Sequence, residues 1–486
     1  MPMITADICI IGGGSAGLSL AAGAVQMGAS VVLFEAAEMG GDCLNHGCVP
    51  SKSLLAAAKA AHGTSGSVDM GVTGQDAEID FAAAKDHVQQ VIAGIAPHDS
   101  VERFESLGVT VIQAAGRFTG KRQAEGGGYV VRFRYAAIAT GSSAFIPPIE
   151  GLEAVDYLTN ETVFGLRERP AHLLVLGGGP IGLEMAQAHR RLGCQVTVIE
   201  AQSILNREAD ALVSRLRTQL QDEGITFIEG IAATAVSTLK AGASGTDTKS
   251  TPPHICLELS NGQQLIGSHL LVAVGRRPNL DNLGLEAAGV RWHRGGIITG
   301  ANLRSSNRRI FAMGDVAGRL QFTHMAGAHA GTVIKQMLFG LPARQAVSAV
   351  PWVTYTDPEL AHVGMGENEA VEKYGRDKIR VLVADLADND RARASLQTTG
   401  SVRLVVHKNG RLLGGSILAP GAGEMISTLT LAIGQNMKVS ALAQMIIPYP
   451  TLSEAIKRAA GSFYTEALFS ARTRRLVRFM MRFRPW

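Results

Sequence analysis

Two cysteines separated by four residues are the pair in this sequence with the clearest capacity for chemistry. Cys43 and Cys48 lie in the stretch GGDCLNHGCVPSKSLL, which also holds Lys52. Such a pair can belong to a metal site, form a structural disulfide, or open and close as a redox pair during turnover. A metal site needs further ligands, and no second CxxC or HxxxH stands nearby in the sequence. The other motifs of the chain have to decide among these interpretations.

Composition indicates an ordered, soluble and globular protein in which stable disulfides are not expected. Of its 486 residues, 46% are hydrophobic and 18% are charged. Five cysteines in so long a chain do not form a disulfide scaffold. No secretory leader and no apolar run of membrane-spanning length is recognisable, so the cytoplasm is the expected location.

A glycine-rich turn between two strand-like segments predicts a first dinucleotide site. Residues 7–35 read DICIIGGGSAGLSLAAGAVQMGASVVLFE, with Gly12, Gly14 and Gly17 between an apolar strand and a helix of small residues. The first glycine permits the tight turn, the second lets the backbone approach a pyrophosphate, and the third lets helix and strand pack closely. Glu35 ends the second strand, where it can accept hydrogen bonds from a ribose 2′-hydroxyl.

The same pattern returns in the stretch HLLVLGGGPIGLEMAQAHRRLGCQVTVIE. Gly177, Gly179 and Gly182 take the glycine places, and Glu200 ends the second strand. One such motif is weak evidence, but two complete strand–glycine–helix–strand–acid units predict two bound dinucleotides. Because an acid at this strand end repels a 2′-phosphate, NAD(H) is favoured over NADP(H), although Arg207 could still reach a phosphate.

These features together resemble the flavin-dependent pyridine nucleotide–disulfide oxidoreductases, the class I family of dihydrolipoamide dehydrogenase, glutathione reductase and mercuric reductase. The resemblance covers nearly the whole chain and includes four shorter stretches besides the dinucleotide motifs and the Cys-x4-Cys pair. Those stretches are ATGS (139–142), VAVGRRPN (272–279), IFAMGD (310–315) and PYPTLSEAIKRAA (448–460). The implied fold class is α/β, with two Rossmann-like dinucleotide-binding domains, for FAD and NAD(P), and a C-terminal α+β dimerisation domain.

The resemblance assigns cofactor-binding residues one by one. FAD would be held by Gly12, Gly14, Ser15, Ala16, Gly17, Glu35, Gly41, Lys52, Thr140, Gly141, Gly314 and Asp315. The nicotinamide cofactor would be held by Gly177, Gly179, Ile181, Gly182, Glu200 and Gly275. Asp315 matches the acid that holds the ribityl chain and the pyrophosphate end of the flavin. No resident metal ion is expected.

The same resemblance implies how the cysteines work. Cys48 would lie nearest the flavin, and Cys43 would be the thiol that exchanges with substrate. NAD(P)H would pass a hydride to the flavin, the flavin would reduce the disulfide through Cys48, and the Cys43 thiolate would attack a disulfide-type acceptor. Lys52 and Glu184 match the family's ion pair beside the flavin N5, where a lysine stabilises negative charge on the reduced ring.

One departure from the family's pattern lies at the chemistry itself. The disulfide reductases carry a His-Pro-x-x-x-Glu stretch, and here Glu454 is kept but Tyr449 replaces the histidine. A tyrosine titrates near 10, too high for an efficient proton shuttle at neutral pH. We therefore also consider His46, which lies between the two cysteines, as a replacement base.

Mercuric reductases share this tyrosine, and several further stretches resemble a mercuric-reductase-like branch. These are GGDC (40–43), FTHMAGAHAG (322–331), PWVTYTDPELA (351–361) and DNDRARA (388–394). Reduction of a thiophilic metal ion is thus an alternative function, opposed by the lack of any cysteine after Cys256. A third alternative is a membrane-docked electron-transfer partner of another protein.

The motifs also predict the organisation of the chain. Because the family builds each active site from both subunits, an obligate homodimer is expected. A Gly/Ser/Thr/Pro-rich loop is expected over residues 239–253. The predicted domains are an FAD-binding domain (1–150 and 276–345), an NAD(P)-binding domain (151–275), a dimerisation domain (346–465) and a basic amphipathic tail (466–486).

The tail holds much of the positive charge of the chain. The formal net charge is +4, and the last sixteen residues contain arginines at positions 472, 474, 475, 478, 482 and 484, with no acid. The rest of the chain is therefore near neutral, which is not a nucleic-acid-binding composition. On a helix, apolar and basic residues of the tail would fall on different sides, so residues 467–486 either pack on the protein or lie on an anionic membrane surface.

Overall fold

The structure is a computed structural model that describes residues 1–64, 66–74, 78–239, 254–318, 320–345 and 347–484. The loop predicted over 239–253 lies almost entirely outside the described residues. The chain divides into two compact units. The first comprises Met1–Ser203 and Gly224–Gln345, and the second comprises Ile204–Glu223 and Ala346–Trp486.

Strands and α-helices alternate in the two stretches that carry the glycine-rich turns, and longer runs of strands stand between and after them. In chain order the strands are β1 (Met3–Ile11), β2 (Val31–Glu35), β3 (Gly66–Ser67), β4 (Val72–Thr73), β5 (Val109–Gln113), β6 (Arg117–Gly120), β7 (Gln123–Gly126), β8 (Tyr129–Ile138), β9 (Ser142–Ala144), β10 (His172–Leu176), β11 (Gln195–Glu200), β12 (Ile225–Glu229), β13 (Ala233–Leu239), β14 (His254–Leu259), β15 (Gln264–Gly267), β16 (His269–Val272), β17 (Arg276–Pro278), β18 (Trp292–His293), β19 (Gly296–Ile297), β20 (Ile310–Ala312), β21 (Pro351–Thr354), β22 (Glu359–Gly364), β23 (Ile379–Asp385), β24 (Ser401–His407) and β25 (Leu412–Ala419). The helices are α1 (Ser15–Gln26), α2 (Gly41–Asn45), α3 (Cys48–Gly63), α4 (Phe81–Ile95), α5 (Val101–Ser106), α6 (Pro180–Arg191), α7 (Asp210–Asp222), α8 (Leu285–Ala288), α9 (Thr323–Phe339), α10 (Glu367–Tyr374), α11 (Asp390–Ala394), α12 (Ala422–Gly434), α13 (Val439–Ala443), α14 (Glu454–Leu468) and α15 (Ala471–Met481).

The first sheet carries the first glycine-rich turn. Its strand order is β5-β2-β1-β8-β7-β6, with β20 also paired to β8. Strands β5, β2, β1, β8 and β20 are parallel, and β2, β20 and the carboxyl-terminal parts of β1 and β8 are buried almost continuously, as expected where both faces of a parallel sheet are covered. Parallel strands end at one edge, so the residues that follow β1, β2, β8 and β20 gather there. This edge is where the predicted FAD residues lie.

A second, smaller parallel sheet carries the second glycine-rich turn. Its order is β12-β11-β10-β16, and the antiparallel strands β13, β14 and β15 form a separate sheet. The two glycine turns thus follow the first strands of two separate doubly wound sheets. This arrangement confirms the predicted fold class of two Rossmann-like domains.

The second compact unit contains an antiparallel sheet. Its order is β21-β22-β25-β24-β23, and helices α12 and α14 contribute Leu429, Ile456 and other residues to a buried core with the sheet. This is the predicted C-terminal α+β domain. Helix α7 belongs to this unit, although its sequence stands between β11 and β12. The predicted domain boundaries stay predictions.

The chain ends in α15, the helix predicted from the basic tail. No residue of α15 is buried in the single chain. Among the described residues, no helix is both long enough and apolar enough to cross a membrane.

Candidate active site

The first glycine turn has the backbone geometry that a dinucleotide requires. Gly12 has a φ of 110°, and a Cβ there would collide with the carbonyl oxygen of Ala139. A Cβ at Gly17 would collide with the carbonyl of Gly12, so α1 packs directly on the turn. At Gly14 the nearest atom to an added Cβ is the α-carbon of Gly41 at 3.7 Å, which leaves that face of the turn open.

The second turn repeats this geometry. Gly177 has a φ of 114°, and an added Cβ would lie 2.5 Å from the carbonyl oxygen of Ala273. A Cβ at Gly182 would collide with the Gly177 carbonyl, whereas one at Gly179 would meet nothing within 4 Å. Neither α1 nor α6 has a side-chain cap at its amino end. Both turns therefore offer an open backbone face and uncapped helix N–H groups, which fit a pyrophosphate.

The acids that end the second strands are held at these turns in the same way. One oxygen of Glu35 accepts the Gly13 N–H, and one oxygen of Glu200 accepts the Gly178 N–H at 2.7 Å. The other oxygen of each accepts the backbone N–H two residues further on, at 2.7 and 2.9 Å. Both carboxylates are thus fixed beside the glycines, where a ribose hydroxyl is expected.

The remaining predicted cofactor residues surround the two turns. Near the first, Ser15 and Ala16 begin α1 and Gly41 begins α2; near the second, Ile181 lies in the first turn of α6 and is 39% exposed, and Gly275 has a φ of 140°. The residues present fit FAD and a second dinucleotide. Their individual contacts with the cofactors stay predictions.

Asp315 lies in a hydrogen-bonded group at the edge of the first sheet. Ser142 Oγ donates to its Oδ2 at 2.6 Å, and burial raises the pKa of the carboxyl above its ordinary value. Close by, Thr140 Oγ1 donates to the Asn279 carbonyl at 2.7 Å, and Asn279 Nδ2 donates to the Thr140 carbonyl at 2.9 Å. Gly141, between Thr140 and Ser142, has a φ of 67° and nothing within 4 Å of an added Cβ. This edge offers both polar groups and room for a ligand.

His329, a buried residue of α9, positions the backbone next to Asp315. The Gly314 N–H donates to His329 Nδ1 at 3.1 Å, and His329 Nε2 lies 2.9 Å from Gln345 Oε1. Burial lowers the pKa of this histidine, which keeps Nδ1 free to accept the Gly314 N–H at neutral pH.

The two cysteines lie at the start of neighbouring helices. Cys43 is half-buried within α2, and Cys48 is the exposed first residue of α3. Both are free thiols, which is the reduced form of a redox pair. Cys48 Sγ also lies 3.4 Å from Thr323 Oγ1, at the amino end of α9.

The environment separates the acidities of the two thiols. The hydrogen bond from the Cys43 thiol, then that of the Thr323 hydroxyl and the positive charge of Lys52, lowers the pKa of Cys48 to about 6. The same hydrogen bond to Cys48, together with burial, raises the pKa of Cys43. At neutral pH the reduced pair is therefore a Cys48 thiolate that accepts a hydrogen bond from the Cys43 thiol. The role of Cys48 as the sulfur nearest the flavin stays a prediction.

Lys52 and Glu184 join the cysteine helix to the second glycine turn. Lys52, one turn after Cys48 on α3, has its Nζ 2.7 Å from Glu184 Oε2 on α6. The Glu184 side chain is 5% exposed and that of Lys52 is 37% exposed. The pair thus fixes a cation close to both the cysteines and the nicotinamide site, and its role beside the flavin stays a prediction.

No role is predicted from the sequence for Arg276, although it lies in the VAVGRRPN stretch. Its Nη2 lies 3.1 Å from Asp42 Oδ2, and its Nε donates to Ser142 Oγ at 2.7 Å. Asn160 Nδ2 donates to the other oxygen of Asp42 at 2.8 Å. Since Asp42 precedes Cys43 and Ser142 donates to Asp315, Arg276 connects the loop of the exchanging thiol with the predicted flavin acid.

Tyr449 and Glu454 belong to the second compact unit, whereas the cysteines belong to the first. The Tyr449 side chain is exposed, and its hydroxyl donates to Asp390 Oδ2 at 3.0 Å. That hydrogen bond and the negative charge of Asp390 raise the pKa of Tyr449 above its ordinary value. Glu454 begins α14, and its Oε2 accepts the Thr451 N–H at 3.4 Å. His46, the alternative base, directly follows α2, and its carbonyl accepts a hydrogen bond from Asn160 Nδ2 at 3.3 Å.

Most of the chain matches one known family in sequence. Residues 6–330 match the pyridine nucleotide-disulphide oxidoreductases, and residues 350–460 match the dimerisation domain of the same family. The chain belongs to this family. It is therefore an FAD-dependent oxidoreductase with a redox-active cysteine pair, and its dimerisation domain supports a homodimer.

Individual similar proteins indicate to which branch of the family the chain belongs. A mercuric reductase of Streptomyces lividans is 35% identical over 468 residues, which cover 95% of this chain and 96% of that protein. A mercuric reductase of Shigella flexneri is 35% identical over 466 residues, covering 94% of this chain and 80% of that protein. The HOCl-induced flavoprotein disulfide reductase RclA of Escherichia coli, solved as a Cu(II) complex, superposes with a TM-score of 0.83 at 27% identity, covering 95% of this chain and all of that one. The chain lies in a mercuric-reductase-like branch.

Proposed function

We propose that this protein uses NAD(P)H to reduce a thiophilic metal ion, such as Hg(II) or Cu(II), at the Cys43–Cys48 pair. The observation that carries the proposal is Tyr449, whose hydrogen bond to Asp390 raises its pKa. At neutral pH such a phenol donates a hydrogen bond and does not take up a proton. Reduction of a disulfide substrate needs a base for the attacking thiol and an acid for the leaving thiolate, whereas a metal ion needs neither once both sulfurs bind it.

Cys48, Cys43 and Lys52 each have a separate role in the proposed reaction. The Cys48 thiolate binds the metal ion first, and the bound cation favours loss of the Cys43 proton to solvent, so that both sulfurs become ligands. One Hg(II) or two Cu(II) ions accept the two electrons that convert the dithiol to the disulfide, and NAD(P)H with one proton restores the dithiol. FAD, when bound, supplies the two-electron carrier between the nicotinamide and the cysteines. Lys52 stabilises negative charge at that site.

The comparisons support this choice. The similar proteins include mercuric reductases, and RclA was solved with Cu(II) bound. Among the described residues no group of three or more His, Cys, Asp or Glu side chains could hold a metal ion. The two thiols are therefore the proposed metal-binding groups, and the ion is bound as a substrate and not as a resident cofactor. In the homodimer, Tyr449 and Glu454 would face the cysteine pair of the other subunit.

A small disulfide is the second candidate acceptor, as in dihydrolipoamide dehydrogenase. It is favoured by the family to which the chain belongs and by the likeness to RclA, a flavoprotein disulfide reductase. In this case Cys43 must lose its proton to a base, for which His46 is the candidate within the loop.

The variant Tyr449→His separates the two candidates. We expect it to raise disulfide reduction by about 10- to 100-fold, because a histidine titrates near neutral pH and restores an acid–base group. Metal reduction should change by less than about threefold, since the proposed reaction uses no base at this position. Steady-state rates with Hg(II), Cu(II), oxidised glutathione and lipoamide measure both, and Tyr449→Phe is the matched control. Rapid disulfide turnover by the unaltered enzyme, unchanged in Tyr449→His, contradicts the proposal.

We propose NADH as the preferred reductant, since both Glu200 oxygens are fixed at the second glycine turn. A 2′-phosphate placed there would meet this carboxylate and lose affinity. The same steady-state assay, run with NADH and with NADPH, gives the ratio of kcat/KM that decides this point.

We also propose that α15 contacts an anionic membrane surface. Leu476 and Met480 lie one turn apart on α15, Phe483 follows just after the helix, and each is between 47% and 73% exposed. A second stripe at similar spacing consists of Arg475, Arg478 and Arg482. Exposed apolar side chains beside a stripe of arginines suit the headgroup region of anionic lipid. Contact of this kind would make the enzyme peripheral on the inner face of a membrane.

Deletion of residues 467–486 tests this contact. We expect the full chain to sediment with phosphatidylglycerol vesicles and to dissociate from them as the salt concentration is raised. It should not sediment with phosphatidylcholine vesicles. The shortened chain should not sediment with either. As a matched control, Arg475→Gln/Arg478→Gln/Arg482→Gln keeps the apolar stripe and should lose most of the binding. Equal sedimentation of the full and shortened chains removes the proposal, and so does dissociation of the dimer on deletion, which would mean that α15 packs against the second subunit.

A further inference from the structure

A basic groove lies on the first unit at the amino ends of β1 and β8, with a volume of about 490 Å³. Strands β1 and β8 run parallel with Thr5 opposite Arg132, and both extend beyond the starts of β2 and β20. The groove is lined by Thr5, Ala6, Asp7, Ser30, Arg122, Arg132, Phe133, Arg134 and Arg309.

The groove is strongly positive because four arginines face one carboxylate. Arg122, Arg132, Arg134 and Arg309 are all exposed. Arg309 Nη1 donates to the Arg134 carbonyl at 3.3 Å, and the Arg134 guanidinium lies 5.9 Å from the centre of the Tyr135 ring. Over the described ranges of the chain, none of the four guanidiniums forms an ion pair with a carboxylate.

The one acid of the groove is already engaged. Asp7 Oδ2 accepts both the Ser30 N–H at 3.0 Å and the Ser30 hydroxyl at 2.8 Å. The Asp7 N–H in turn donates to Ser30 Oγ at 2.9 Å. These bonds tie β1 to the start of β2, and the Asp7 carboxylate also interacts with the charge of Arg134. One carboxylate against four guanidiniums still leaves the groove with an excess of positive charge. Four like charges around one concavity repel each other, and an anion of several charges would relieve that repulsion.

The groove is separate from the catalytic end of the domain. The glycine turn begins at Gly12, seven residues along β1 from Thr5, which is roughly 23 Å of extended strand. The predicted cofactor residues follow the carboxyl ends of the parallel strands, whereas the groove lies at the amino ends. Neither dinucleotide is therefore its ligand.

We propose that this groove binds a small polyphosphate, an anion with two or more linked phosphate groups. Guanidinium groups recognise phosphate through paired, charge-assisted hydrogen bonds, and several such groups in one concavity match several linked phosphates. The volume exceeds what a single phosphate requires and falls within the range of small-molecule sites. Phe133, the aromatic residue of the lining, is 1% exposed, so the groove offers no ring on which a nucleic-acid base could stack.

Titration calorimetry of the FAD-loaded enzyme with inorganic tripolyphosphate tests the site. We expect one saturable site per chain, weakened as the salt concentration rises, and at least tenfold weaker binding of orthophosphate. Arg132→Gln/Arg134→Gln should weaken tripolyphosphate binding by at least tenfold. Arg294→Gln removes an exposed arginine outside the groove and is the matched control, with affinity expected within twofold of the unaltered enzyme. Flavin content and Tm of each variant report on its folding.

Three results overturn the proposal. One is the absence of saturable binding at low salt. Another is an equal loss of affinity in the groove variant and in Arg294→Gln, which would show attraction by overall charge alone. The third is a tripolyphosphate affinity that is unchanged in the groove variant, since that would place the anion contacts of the protein elsewhere.

Discussion

Replacing Cys48 by serine is expected to abolish turnover with both metal ions and disulfides, by about 10³-fold or more, because the pair can then no longer alternate between dithiol and disulfide. Reduction of a small quinone, which takes electrons from flavin directly, should continue at a rate within about threefold of the unaltered enzyme. The comparison of these two acceptors in one preparation measures whether electrons pass through the pair. Cys256→Ala, which alters a buried thiol outside the site, is the control for the loss of a cysteine.

The pH dependence of the reduced pair gives this prediction a second readout. With a pKa of about 6, Cys48 is a thiolate above that pH and a thiol below it. The long-wavelength absorbance that a thiolate gives beside oxidised flavin should therefore fade as the pH falls through about 6. Cys43→Ala removes the largest stabilising hydrogen bond, so the midpoint should move to higher pH. Full metal turnover by Cys48→Ser, or an unmoved midpoint in Cys43→Ala, would refute the assigned path.

The parts of the site that the sequence predicts are those formed by nearby residues. Gly12 and Gly177 must adopt positive φ where a strand turns into a helix, and that need appears as a fixed glycine spacing. Glu35 and Glu200 close their turns 22 residues after Gly13 and Gly178, so their positions also follow from local spacing. Two such complete units are enough to predict two doubly wound sheets.

The parts that could not be predicted depend on side chains brought together from far along the chain. Thr323 meets Cys48 across 275 residues, and no spacing rule connects a helix start with a cysteine at that distance. Arg276 is one arginine among many in the sequence, and only the fold shows that it contacts Asp42. The tyrosine at 449 is visible in the sequence as a departure from the family's pattern, but only the structure shows Asp390, which raises its pKa.

Replacing Lys52 by methionine should slow reduction of the flavin by NAD(P)H about 10²- to 10³-fold, the usual effect of removing one group that stabilises developing charge. The change also takes the cation away from the Glu184 carboxylate, which is 5% exposed. We expect the free energy of unfolding to fall by about 1–3 kcal/mol, less than for a fully buried pair because Lys52 is partly solvated. Stopped-flow mixing with NADH and denaturant unfolding of the FAD-loaded enzyme measure the two effects.

The double variant Lys52→Met/Glu184→Gln separates catalysis from stability. Neutralising Glu184 removes the buried charge that the single variant leaves behind, so most of the lost stability should return. The rate should stay low, because the cation that stabilises negative charge near the cysteines is still missing. A rate that recovers together with the stability would mean that Lys52 only maintains the packing of α3 against α6. A rate that stays low in a stable protein would assign Lys52 directly to the electron-transfer site.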